Sequence, residues 1–164
     1  LSTWSAVANI RFVETSNRDS ADFWAWQAPA AHTGADTFGY SEVPVPGDAA
    51  EPLYLVLNGE NETWNTAALA RGGYAFITLI HEIGHLIGLA HPHDGGSEAD
   101  GTVFPGVTAS GASGQSNLNQ GIFTTMSYVD GWPTQFPDHS YQTEWDYGYQ
   151  ATPMALDIAA IQSM

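Results

Sequence analysis

Residues 81 to 91 read HEIGHLIGLAH, which gathers three of the chain's six histidines and a glutamate into one short stretch. Residues four apart on an α-helix stand on one face about one turn from each other, so His81 and His85 can aim two imidazoles at one point. Glu82 sits on the same turn, too far round to be a comfortable third ligand but close enough to hold a water at the metal. Gly88 follows three residues after His85, where a residue without Cβ can leave the helix in a left-handed conformation. His91 can then swing back underneath. Three neutral imidazoles leave the fourth tetrahedral position of zinc open, the pattern of a catalytic and not a structural site.

This is the H-E-x-x-H arrangement of zinc peptidases. The alternative is a buried amphipathic helix whose histidines are satisfied by core hydrogen bonds, and the offsets of three His, one Glu and one Gly weigh against it. Just beyond the set, His93, Asp94 and Asp100 have the types for a second metal, although HPHDGGSEADG has the composition of a solvated acidic loop. His32 and His139 stand alone and are expected at the surface or in hydrogen bonds. The six Trp are expected in the core or the cleft wall.

A helix must carry the histidines, and from Gly72 the pattern turns helical, with Tyr74 to Leu86 apolar almost all round apart from the metal face. Such a helix belongs in the middle of a core. Before it, AVANIRFVET (6 to 15) has the apolar and β-branched content of a strand, and Trp4 looks like the end of a helix that begins outside the chain. DFWAWQ suggests a second strand, and PLYLVLN (52 to 58) a third, ended by Asn58 and Gly59. Between them, HTGADTFGYSEVPVPG has the Gly and Pro of a loop or irregular edge. Residues 92 to 121 are rich in Gly, Ser, Thr and Asn and predict an irregular lower half. A last helix is predicted from Pro153 through Met154, Ile158 and Ile161. No internal repeat is visible.

Length and composition bound the possibilities. At 164 residues the chain is one domain by the usual prior and can bury roughly 70% of the surface its unfolded form exposes. It has no Cys, so disulfides and thiolate metal sites are excluded. Arg11, Arg18 and Arg71 are its only Lys or Arg residues against 18 acids, for a formal charge of −15. That surface repels phosphate backbones and anionic lipid, so neither nucleic acid nor a membrane is an expected partner, and a secreted, extracellular protein is more natural. No run reaches ~18 uninterrupted apolar residues, and the best candidate, YAFITLIHEIGHLIGLA, carries two His and a Glu. The N-terminus has no charged segment followed by an apolar core, so no secretion signal of that type is expected.

A second stretch, TTMSYVDG (124 to 131), complements the first. HEIGHLIGLAHP followed about thirty residues later by MSY resembles the metzincin zinc endopeptidases, with Met126 in the position of their Met-turn. Pro92 directly after the third histidine is similar to the serralysin type, whereas matrixins, astacins and adamalysins usually place other residues there. The closing PMALDIAAIQ also resembles the end of a serralysin catalytic domain, with Leu156 where relatives often have a second acid beside Asp157. The resemblance implies an α+β zincin-like fold: a twisted, mostly parallel sheet with the active-site helix in an upper subdomain (1 to 91), a zinc cleft, and an irregular lower subdomain (92 to 164). Serralysins normally begin with a longer N-terminal helix and continue into glycine-rich calcium-binding repeats, and this chain shows neither, so it looks like a core cut from a larger protein or a core that has lost its ends. Calcium is therefore left open, without support from any repeat here. Their signal-less export fits the lack of Cys.

The resemblance further implies His81, His85 and His91 as zinc ligands, Glu82 as general base, Met126 as an apolar floor under the histidines, and Tyr128 as a tyrosine beside the zinc. The expected activity is hydrolysis of extracellular proteins or peptides in an extended conformation by a monomer, with water acidified towards a pKa of ~7 as nucleophile. PLYLVLN is the expected edge for main-chain pairing with substrate. Two alternatives remain: a zinc-holding binding module of the same fold, against which Glu82 argues because a structural zinc has no use for a base, and a metzincin that hydrolyses something other than peptides.

Overall fold

The computed structural model describes residues 1–45, 47, 52–94, 103–130 and 145–164. Its sheet is built on β3 (Leu53–Asn58), which lies between β1 (Phe23–Ala28) and β2 (Gly39–Ser41). β1 runs parallel to β3, with Phe23 opposite Leu53 and Ala28 opposite Asn58, and β2 runs antiparallel, with Gly39 opposite Leu57 and Ser41 opposite Leu55. The near-continuous apolar run LYLVL is what a strand buried on both faces requires, and Leu55 and Val56 are buried. On β1 the aromatic residues take the place of β-branched ones: Trp24 and Trp26 both meet the Tyr54 ring edge-on.

One expectation changes here. PLYLVLN is not an edge, because β1 and β2 occupy both of its sides, and the edge nearest the helix is the three-residue β2. Among the described residues the sheet is mixed, with one parallel and one antiparallel pairing.

Residues 6 to 15 form no strand. After the short helix α1 (Ser2–Ser5), Val7, Ala8, Ile10 and Phe12 lie against the core, while Arg11, Val13, Glu14 and Thr15 face outward. Their apolar content serves side-chain packing without a backbone ladder. Trp4 is fully buried at the end of α1 and donates its indole N–H to the Ile80 carbonyl at 3.1 Å.

The long helix α3 (Tyr74–Leu86) follows the short α2 (Ala30–Thr33) and packs on β2 and β3. Its Ile77, Ile80 and Ile83 join Trp4, Leu89, Met126 and Ile161 in one core cluster. Between His91 and Asp130 the described chain is turns and a single 3₁₀ turn, Gln115–Asn117, in agreement with the irregular lower half. The last helix, α4 (Ala155–Ser163), begins just after Pro153, and the Asp157 carboxylate reaches back to the Met154 N–H at 2.8 Å. Among the described residues no helix is long and apolar enough to cross a membrane.

Candidate metal centre and catalytic cleft

Helix α3 delivers His81 and His85 one turn apart, and Gly88 ends it as the spacing predicts. Gly88 has φ +105°, its N–H bonds to the His85 carbonyl at 2.9 Å, and the Leu89 N–H reaches the Gly84 carbonyl at 2.9 Å. That pair of bonds is the Schellman closure, and it needs a residue free to take a positive φ. The turned chain brings His91 back. The Nε2 atoms of His81, His85 and His91 lie 3.0 to 3.2 Å from one another.

The other ring nitrogens decide what this triangle means. His81 Nδ1 donates to the Thr125 carbonyl at 2.8 Å, His85 Nδ1 to the Leu89 carbonyl at 2.7 Å, and His91 Nδ1 to the Asp94 carboxylate. Oxygens that only accept place the hydrogen on Nδ1, which leaves three Nε2 lone pairs aimed at one another with no proton between them. Burial acts in the same direction: it lowers the pKa of all three imidazoles, that of His91 to about 4, against the opposing pull of their oxygen partners. Converging neutral lone pairs repel unless a cation sits among them. A tetrahedral ion with bonds of about 2.0–2.1 Å would hold its nitrogens about 3.3 Å apart, close to the separations found, so the donor set fits zinc.

Glu82 is 6% exposed and its carboxylate Oε2 accepts from the Ser41 hydroxyl at 2.7 Å. Burial raises its pKa, opposed by the Ser41 hydrogen bond and by His85. The residues below the histidines are tied to α4. Asp157 accepts from the Thr124 and Thr125 hydroxyls at 2.6 and 2.9 Å and from the Thr125 N–H at 2.8 Å. Leu156, in place of a second acid, contributes only its main chain here, donating to the Phe123 carbonyl at 3.0 Å. Met126 is buried in the core cluster, where its sulfur occupies the space that Gly84 leaves by having no Cβ.

Tyr128 stands at the mouth, 59% exposed, with its ring centroid 4.6 Å from that of His91 and 5.9 Å from that of His81. Partial burial raises the phenol pKa, with Glu82 and Asp94 acting in the same direction, which keeps the hydroxyl a donor at neutral pH. A cleft of about 450 Å³ runs from Tyr128, His81 and Glu82 to an aromatic wall of Phe38, Tyr74 and Tyr149.

His93 stacks on His91, with ring centroids 5.0 Å apart, and with Asp94 it forms a second group of close donor atoms. Asp94 already accepts from His91, so it orients the third candidate ligand before it can serve another ion. Asp100 and His139 lie outside the described residues. His32 is exposed and meets the Tyr40 hydroxyl at 3.3 Å, away from the cleft, as expected for a lone surface histidine.

Two parts of the site escape a motif reading. Ser41 has no local signal, because only the fold brings β2 to Glu82. The aromatic wall had one: Tyr74, Thr78, His81 and Glu82 follow the i, i+4, i+7, i+8 spacing of a single helix face, and all four line the cleft.

No family model matches the chain. Comparison with curated proteins does find relatives. A serralysin of Photorhabdus luminescens is 29% identical over 164 residues, covering 100% of this chain and 30% of the relative. The metalloprotease AprA of Pseudomonas entomophila (strain L48) is 27% identical over 165 residues, covering 100% of this chain and 31% of the relative. Serralysin C of Dickeya chrysanthemi is 29% identical over 168 residues, with 100% and 31% covered. The chain thus spans about 30% of the length of the relatives it matches. With the histidine cluster assembled and the similarity running from end to end, the chain is similar along its whole length to the serralysin-type metalloproteases.

Proposed function

We propose that this chain is a zinc-dependent endopeptidase domain acting on extracellular proteins or peptides in an extended conformation. The observation that carries the proposal is the convergence of the His81, His85 and His91 Nε2 atoms, each left unprotonated by an oxygen at its Nδ1. These three residues would hold the zinc, which when bound supplies Lewis acidity to polarise a scissile carbonyl and to make water a nucleophile at neutral pH.

The chain's own residues do the rest. Glu82 takes a proton from the attacking water and passes it to the leaving amine, so that it ends each turnover as it began. Its burial keeps its basicity up. Tyr128, at the mouth, donates a hydrogen bond to the oxygen of the reacting carbonyl as charge builds there. Of the residues that line the cleft, Phe38, Tyr74 and Glu82 belong to the proposed upper subdomain (1 to 91) and Thr125, Tyr128 and Tyr149 to the lower (92 to 164).

Substrate pairs with β2 and not with β3 as the sequence suggests. β2 has β3 on one side and no strand on the other among the described residues, and Gly39 at its start lines the cleft. A peptide laid along that edge gains main-chain hydrogen bonds without regard to its side chains.

Incubation of the protein with an unfolded polypeptide, with and without a chelator, tests this function. Chelator-sensitive cleavage is expected, and Glu82→Ala should keep one zinc while losing nearly all of it. Zinc retained by the parent with no cleavage of any polypeptide would favour a binding module or a hydrolase of other substrates.

A further inference from the structure

Ser41 closes β2, and its hydroxyl oxygen lies 2.7 Å from Glu82 Oε2 and 2.7 Å from the Glu82 main-chain oxygen. Among the described residues Ser41 is the only hydrogen-bond partner of that carboxylate. We infer that Ser41 is a positioning residue that clamps the general base to the substrate-receiving strand, an inference that rests on the endopeptidase function proposed above.

The physical need is plain. A glutamate side chain has three rotatable bonds, and holding it in one rotamer costs entropy that burial alone does not direct. Water must be met by a carboxylate oxygen within hydrogen-bond reach and with its lone pair aligned, and an error of about 1 Å can cost 10²-fold in rate. The Ser41 hydroxyl has a single hydrogen and two acceptors on the same residue. The charged carboxylate is the stronger of the two. With Oε2 engaged, the other oxygen of Glu82 is left to receive the proton from water.

The placement on β2 adds a second consequence. Ser41 is fixed by its pairing with Leu55 on one side, and Gly39 at the other end of β2 lines the cleft. A peptide paired with β2 is therefore held in register with the residue that holds the base, so backbone docking and proton transfer share one anchor. The 41-residue separation of Ser41 and Glu82 in the chain means that this link is made only by folding.

The test uses Ser41→Ala and Ser41→Thr beside the parent protein, all zinc-replete. Steady-state cleavage of one peptide, zinc content, thermal unfolding and crystal structures are compared. For Ser41→Ala the expected result is kcat lower by roughly 10- to 100-fold with KM changed less than about threefold, unchanged zinc content, and a Glu82 carboxylate displaced from its present rotamer. Ser41→Thr keeps the hydroxyl, suits a strand and should recover most of kcat. An active parent with an equally active Ser41→Ala, or a loss that appears in KM alone, overturns the role of Ser41 and leaves the endopeptidase standing. So does a Glu82 carboxylate that stays in place in the alanine variant. A parent that shows no chelator-sensitive cleavage overturns the endopeptidase function and this role with it.

Discussion

The Thr125 main-chain oxygen lies 2.8 Å from His81 Nδ1, and this bond joins the lower half of the chain to the candidate metal centre. Thr125 is itself held from below, because both its N–H and its hydroxyl donate to Asp157. A candidate ligand on α3 is thus oriented by an acid on α4, through one residue of the intervening turn. Asp157 is 2% exposed, so every acceptor position it offers counts.

Removing that acid separates two effects. Asp157→Ala leaves the Thr125 and Met154 N–H groups without their acceptor in a buried place, and the expected loss is about 3–5 kcal/mol in urea unfolding, with zinc affinity weakened roughly 10- to 100-fold as His81 loosens. Asp157→Asn keeps one carbonyl oxygen and should lose only about 1–2 kcal/mol. Equal losses in the two variants would mean that the carbonyl oxygen kept by asparagine contributes nothing to the turn and that the full carboxylate is required.

His85 is the most buried of the three imidazoles, at 4% exposure. His85→Ala removes one corner of the Nε2 triangle and should abolish stoichiometric zinc at neutral pH, where one equivalent is expected in the parent. Metal analysis of both proteins after dialysis decides it. One equivalent in the variant would place the zinc elsewhere.

Gly84 is a glycine in a helix interior, a position that ordinarily costs about 1 kcal/mol relative to Ala. A Cβ there would stand 2.7 Å from the Met126 sulfur and 3.2 Å from Trp4 Cζ2. Both neighbours are fully buried. Gly84→Ala is therefore expected to destabilise the metal-free protein by about 1–3 kcal/mol despite its better helix propensity. Unfolding in urea that shows a gain in stability would mean that Met126 moves aside freely.

What the sequence makes legible follows from range. α3 is read to its end residues and Gly88 to its conformation, because helix periodicity and a left-handed exit are local properties of consecutive residues. Residues 6 to 15 mislead for the opposite reason: apolar content shows that side chains will be buried, but whether the backbone finds a partner depends on distant strands. The same limit governs β3. Its composition says strand, while its central place, and hence the choice of β2 as substrate edge, comes from a three-residue segment too short for any pattern. Ser41 is invisible for that reason too.

Tyr128 is the residue whose role a single atom can test. Its ring is packed by His91 and His93, with centroids 4.6 and 5.1 Å away, and these contacts do not involve the hydroxyl. The phenol, its pKa raised by burial, stays protonated at neutral pH and is free to donate. A donor that meets the oxyanion only as it develops stabilises the transition state and not the ground-state carbonyl, so its loss falls on kcat. Removing a comparable donor costs roughly 10²- to 10³-fold in other hydrolases, and a half-exposed tyrosine at a cleft mouth belongs at or below the lower end of that range. Tyr128→Phe keeps the ring and deletes the hydroxyl alone. The variant is expected to fold, to keep its zinc through the three histidines, and to show kcat lower by about 10- to 100-fold with KM changed much less. Steady-state peptide cleavage by zinc-replete parent and variant measures this, and an unchanged kcat would confine Tyr128 to packing against the histidine rings.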